Sequence, residues 1–193
     1  MKRIIFIAIF FAANIFNASA YDFSAVSPSG HTLYYNIVNG HAEVVRPVDF
    51  GDYNNYAVGD VIIPATVTFN GVTYAVTALA RGGQTGTFYA CSGLTSVSIP
   101  SSVTTIGYGA FQSCTGLTSV VMSEGVTTIG IQAFNYCTNL SSITIPNSVL
   151  SIEGLAFRRC YSLNSIVIPC NVSSMGQNVF QECSNLQTVW MKP

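Results

Sequence analysis

The chain is 193 residues long with a formal charge of −1; 8% of its residues are charged and 49% are apolar. So apolar and charge-poor a composition excludes a disordered chain. The lack of a basic excess excludes general nucleic-acid affinity, which needs a cationic surface to displace counterions from phosphates.

In chain order, residues 1–20 read as a leader. Lys2 and Arg3 precede an apolar run from Ile4 to Phe16, broken only by Asn14, and Ala18-Ser19-Ala20 puts small residues at −3 and −1 of a cut after Ala20. These are the three parts of a secretory signal peptide, and the run falls short of the ~20 apolar residues a membrane-spanning helix needs. Cleavage takes the formal charge from −1 to −3 and leaves no segment able to span a membrane. Within 21–57, Thr32 to Val38 and His41 to Val45 flank Asn39-Gly40 and predict a hairpin. Asn-Gly favours a type I′ turn because both residues tolerate positive φ. This segment lies outside the repeat that follows and is the expected N-terminal cap.

Four segments, 94–116, 117–139, 140–162 and 163–185, align without gaps at a period of 23 residues, and a fifth begins at Leu186. The pattern is L-x-x-[VI]-x-[IM]-x-x-x-V-x-x-[IM]-x-x-x-[AV]-F-x-x-C-x-x. A degenerate unit, 58–93, precedes them: Val58, Val61, Ile63 and Pro64 match Leu94, Val97, Ile99 and Pro100, Leu79 matches Ile106, and Phe88-x-x-Cys91 matches Phe111-x-x-Cys114. One of its inserts, around Asn70-Gly71, predicts a second hairpin. The other, Ala80 to Thr87, is glycine-rich but lacks the Lys-Ser/Thr of a P-loop and reads as a plain loop.

Within a unit, Val97 and Ile99 alternate with polar residues, as on one face of a strand, and Pro100 ends it because proline cannot donate to a ladder. Val103 to Ile106 forms a second short strand, and Ala110-Phe111-x-x-Cys114 reads as one helical turn. One such coil cannot enclose its own apolar residues; stacked coils can. The expected fold is therefore β-dominated α/β, with Phe88, Phe111, Phe134, Phe157 and Phe180 in one buried column.

Residues 58–193 resemble the BspA-like leucine-rich repeats, also called the Treponema pallidum type, of anaerobic bacterial surface proteins. The resemblance rests on Leu94, Ile99-Pro100, Val103, Ile106, Ala110-Phe111, Cys114 and their 23-residue equivalents. It implies a right-handed solenoid with parallel strands on its concave face, and a secreted or surface-displayed, adhesin-like protein that binds an extracellular protein or glycan. The chain is shorter than the family pattern and stops inside a repeat. That points to a truncated or structural fragment, or to a terminal strand edge that pairs with another copy.

The outward strand positions are the expected binding face: Ser96, Ser98, Ser119, Val121, Ser142, Thr144, Ser165, Val167, Thr188 and Trp190. Arg158, Arg159 and Tyr161 form a second candidate patch on the convex turn. Cys91, Cys114, Cys137, Cys160 and Cys183 share one repeat position and stack, which a column of small buried thiols explains. Rung spacing alone does not exclude a disulfide, although parallel side-chain vectors and an odd number oppose one. Cys170 stands outside the column. Only His31 and His41 are present, both in the cap, so no metal site or cofactor is expected. Pairing His41 with Asp49 or Asp52 is conceivable on composition alone, and Glu124, Glu153 and Glu182 are expected to be solvated. No enzymatic role is expected.

Overall fold

The computed structural model describes residues 21–47, 56–79, 81–82 and 85–192. The leader and the acidic residues Asp49 and Asp52 lie outside the described residues. The chain opens with an antiparallel trio, β1 (Phe23–Val26), β2 (Thr32–Val38) and β3 (His41–Val45). The predicted turn is present: Asn39 and Gly40 have φ of 50° and 80°. Strand β4 (Gly59–Ile62) follows, then the hairpin of β5 (Thr66–Phe69) and β6 (Val72–Leu79) around Asn70 and Gly71. Two short strands, β7 (Arg81–Gly82) and β8 (Thr85–Gly86), pair antiparallel, so the glycine-rich insert is a small hairpin rather than a plain loop.

The repeats contribute two strands per coil. The longer series, which shrinks to two residues at β13, is β9 (Leu94–Ile99), β11 (Ser119–Met122), β13 (Ser142–Ile143), β15 (Ser165–Ile168) and β17 (Thr188–Met191). The shorter are β10 (Thr105–Ile106), β12 (Thr128–Ile129), β14 (Ser151–Ile152) and β16 (Ser174–Met175). The result is a β-solenoid of about five turns. One sheet runs β1-β2-β3-β6-β10-β12-β14-β16, so β3 joins the cap to the coils through its parallel pairing with β6. The other runs β4-β9-β11-β13, and β15-β17 continues it only after a break.

After β11 and β17 the next residue donates back one coil: Ser123 N to Ile99 O at 3.0 Å, and Lys192 N to Ile168 O at 2.8 Å. Pro100, Pro146 and Pro169 stand at that position and have no N–H to give. Proline there does not by itself open the sheet, since β9 ends at Pro100 and keeps four paired residues with β4. β11 and β13 keep two paired residues, and β13 and β15 none.

No helix occurs among the described residues, which corrects the helical-turn reading of Ala110 to Cys114. Gly109, Gln132, Leu155 and Asn178 have φ near 60°, and so do Ser113, Tyr136, Arg159 and Glu182 four residues later. A left-handed residue at each end of the segment stops right-handed winding from propagating. Single turns close instead, as in Cys114 N to Phe111 O at 3.1 Å, and the freed amides bond the following coil. Phe111 N reaches Ala133 O at 2.8 Å, Phe134 N reaches Ala156 O at 2.8 Å, and Phe157 N reaches Val179 O at 2.9 Å. These bonds make a third side to every coil.

The interior repeats the sequence columns. Leu94, Leu117, Leu140 and Leu163 are fully buried, as are Phe88, Phe111, Phe134 and Phe157. The rings stack face to face at 5.2–5.3 Å, within 6° of parallel. Phe180 and Tyr56 extend the column at its two ends, each 5.7 Å from its neighbour. The Tyr56 hydroxyl donates to the Thr87 carbonyl. One expected match fails: a bulge pairs Gly59 with Leu94 and Asp60 with Ser96, so Val58 is exposed instead of occupying the leucine position. Val61 opposite Val97 and Leu79 opposite Ile106 pair as the repeat pattern requires.

Candidate functional site

Strand alternation turns every second side chain of the β4-β9-β11 sheet and its β15-β17 continuation outward. Two columns result. The first is Asp60, Ser96, Ser119, Ser142, Ser165 and Thr188; the second is Ile62, Ser98, Val121, Thr144, Val167 and Trp190. All ten residues expected from the sequence lie on this face, half-buried in the case of Ser96, Ser119 and Thr188 and otherwise exposed. Val121 (62% exposed), Val167 (49%) and Trp190 (64%) put apolar groups in solvent. Asp60 and Ile62 head the columns and escape sequence reasoning, because the degenerate unit hides their register; the alternation about Val61 was the available signal. Asp60 accepts from Ser96 Oγ at 2.6 Å and Thr95 Oγ1 at 2.8 Å, and these hydroxyls hold its carboxyl below the ordinary value.

A groove of about 580 Å³ follows the break between β13 and β15. Ser142, Thr144, Ser165 and Val167 line it, its floor includes Ile143 and Ile166, and Asn147 and Lys192 lie at the end where the strands finish. Lys192 Nζ is 3.4 Å from Asn147 Oδ1 and forms no ion pair among the described residues.

The Arg158, Arg159 and Tyr161 patch is internally matched. Arg158 Nη2 and Arg159 Nε meet the two Glu182 oxygens at 2.7 and 2.8 Å. Arg159 also lies 5.3 Å from the Tyr136 ring centroid, and Tyr136 packs edge-on to Tyr161. Of the acidic residues expected to be solvated, Glu124 and Glu182 are exposed and Glu153 is half-buried, and each is also bound to a neighbouring coil. Glu182 holds both arginines. Glu124 accepts from Asn147 N (3.1 Å) and Ser148 N (2.9 Å), and Glu153 accepts from Ile131 N at 2.9 Å. Their partners lie 22–24 residues away, so adjacency in sequence gives no hint of them.

The cysteine column is present, and no disulfide occurs among the described cysteines. Each of Cys114, Cys137, Cys160 and Cys183 directs its Sγ at the phenylalanine carbonyl of the preceding coil, at 2.9–3.2 Å. Burial pushes the Cys91 thiol up to about 11 and raises Cys114 and Cys137. Cys183, half-exposed at the end, is lowered by its hydrogen bond with Cys160. Cys170 is exposed. His31 is held by Ser29 Oγ (3.0 Å) and Val58 O (2.7 Å), and His41 opens β3 opposite Val38. No cluster of His, Cys, Asp and Glu suited to a metal occurs among the described residues.

Parallel coils, leucine and phenylalanine columns and an outward strand face define a leucine-rich-repeat solenoid, an architecture that typically serves as an interaction scaffold. Residues 84–192 match six copies of the BspA type leucine rich repeat region, and the chain belongs to that family. No curated protein matches. Among solved structures, a leucine-rich repeat protein from Bacteroides ovatus is 29% identical with a TM-score of 0.73, over 89% of this chain and 43% of its own. The T. pallidum leucine rich repeat protein is 29% identical with a TM-score of 0.69, over 81% of this chain and 67% of its own. A Bacteroides capillosus leucine-rich repeat protein is 28% identical with a TM-score of 0.52, over 84% and 94%. The chain therefore spans less than half the length of the first of these.

Proposed function

We propose that this chain is an exported, surface-displayed interaction module that holds an extracellular protein or glycan, in an adhesin-like role, on the outward face of its longer strands. The observation that carries the reading is the second outward column. Ile62, Val121, Val167 and Trp190 are 43–64% exposed on one face, and apolar groups gathered on one solvent-facing surface are what interaction sites display. Tryptophan is prominent among residues that dominate interface energies. The leader pattern of residues 1–20 and the family's occurrence in bacterial surface proteins support export. The arginine patch is the weaker candidate, since Glu182 already engages both guanidinium groups.

The test is binding of the exported chain to arrays of extracellular-matrix proteins and of glycans. Trp190→Ala is expected to weaken a captured partner by about 2 kcal/mol. Unchanged affinity removes that end of the face from the site. No binding on either array favours a structural role for the repeat stack.

A further inference from the structure

We infer that the groove over the gap between β13 and β15 seats a short segment of an uncharged glycan; this rests on the interaction-module reading and names the partner's chemistry. The gap itself is closed to a further strand. Ser162 N reaches Thr138 O at 3.1 Å before it, and Ser173 N reaches Leu150 O at 3.0 Å after it, so the two coils are tied on either side. A ligand therefore meets the groove from the solvent side, through side chains. The floor is apolar: Ile143 is half-buried, while Val97, Val120 and Ile166 at the same coil position are 1–3% exposed. The walls carry hydroxyls. Thr118 and Ser141 commit theirs to the carbonyls of Thr95 and Thr118, one coil back, at 3.0 and 3.3 Å. Those of Ser142 and Thr144 have no protein partner among the described residues. Ser165 Oγ donates to Asn164 Oδ1 at 3.2 Å and keeps its acceptor sites.

Where the strands finish, Glu124, Asn147 and Lys192 form one row. Asn147 Nδ2 donates to Glu124 Oε1 at 3.2 Å, and Lys192 Nζ donates to Asn147 Oδ1 at 3.4 Å. Glu124 and Lys192 are the charged residues that line the groove, and their charges cancel. The groove therefore favours a ligand without net charge, while the row presents donors and acceptors together. A sugar hydroxyl answers both, being one donor and two acceptors. A sugar ring also has C–H faces. These suit Ile143 and Val167, and the exposed ring of Trp190, which neighbours Val167 in the next coil and meets C–H groups with its electron-rich face. At about 580 Å³ the groove is within the usual range for small-ligand sites, roughly 300–1,000 Å³. A protein partner needs a far broader face, roughly 800 Å² on each side.

The probe is an array of uncharged and acidic oligosaccharides presented to the exported chain, the best-captured uncharged one then being titrated by calorimetry. Its affinity is expected to fall about tenfold, the worth of one or two net hydrogen bonds, in Asn147→Ala. A loss at least as large is expected in Ser165→Arg, which fills the groove. Ser98→Arg, on the same face but two coils from Thr144, should leave the affinity unchanged, and so should added salt, since no ligand charge is being paired. Circular dichroism of each variant confirms that the stack is intact. Capture of acidic sugars alone, or an uncharged sugar that binds Ser165→Arg and Asn147→Ala as tightly as the parent, overturns the inference. Binding confined to the matrix-protein array also overturns it and leaves the interaction module standing. Silence on both arrays removes both.

Discussion

At the scale of single residues, the stacked thiols separate into two populations. Cys91, Cys114, Cys137 and Cys160 are buried, and the first three lose acidity chiefly through burial, so the reactive thiolate is scarce. Cys170 is exposed and Cys183 half-exposed. Iodoacetamide at pH 8 should modify the native protein at these two positions only, and all six after denaturation; mass spectrometry of the alkylated chain reads the difference. The bound carboxylates make a second prediction. Hydrogen bonds hold Asp60, Glu124 and Glu182 below their ordinary values: from Ser96 and Thr95, from the Asn147 amide and its neighbours, and from Arg159 and Arg158 respectively. A depressed carboxyl contributes stability that is complete above its unfolded value, 3.8 or 4.5 here, and is lost as pH falls through the folded one. Urea midpoints should therefore be flat from neutral pH down to about 5 and decline below it. Glu182→Gln should shallow that decline, and added salt should do the same to the arginine contribution.

Among the structural elements, the aromatic column is where neighbouring coils hold one another. Phe134 is fully buried between two parallel rings, and Phe134→Ala should cost about 3–5 kcal/mol in chemical denaturation. Phe180 is only half-buried, and Phe180→Ala should cost clearly less. This column was legible in the sequence because burial at a fixed coil position demands the same residue type every 23 residues. The left-handed turns were not legible, since Gly109, Gln132, Leu155 and Asn178 share a conformation but no chemistry. Neighbouring coils impose that conformation through the bonds they accept. The bulge beside Val58 shifted one match for a similar reason: register is set by pairing with β9, not by local composition. The binding face was legible wherever the repeat is regular and lost Asp60 and Ile62 where it is not. The sheet break was not legible, since Pro64 and Pro100 stand at the same coil position beside strands that pair over four residues, just as Pro146 and Pro169 stand beside strands that do not pair.

Over the whole molecule, each coil rests on its neighbours alone, so the last described coil leaves inward positions open. Met175 is 44% exposed where Ile152 is buried, and Val189 and Met191 are 44% and 59% exposed where Ile166 and Ile168 are buried. We propose that a polypeptide of residues 21–193 associates with further copies through this coil. Light scattering should show mass rising with concentration, and Val189→Lys should abolish it by charging the strand edge. A clean monomer at high concentration refutes the proposal.

The third side of the coils also gives the stack an electrical direction. Its amides all point forward along the axis, from Phe88 to Ala110, Phe111 to Ala133, Phe134 to Ala156 and Phe157 to Val179, whereas ladders within the sheets point both ways and cancel. Peptide dipoles of about 3.5 D therefore add head to tail along this edge, as they do in an α-helix. Tyr56 satisfies the oxygen-rich start by donating to Thr87, and the carboxylate of Glu182 lies at the electropositive far end. Two copies meeting through their last coils would oppose like poles along this edge, so such an association must be carried by the flanking strands.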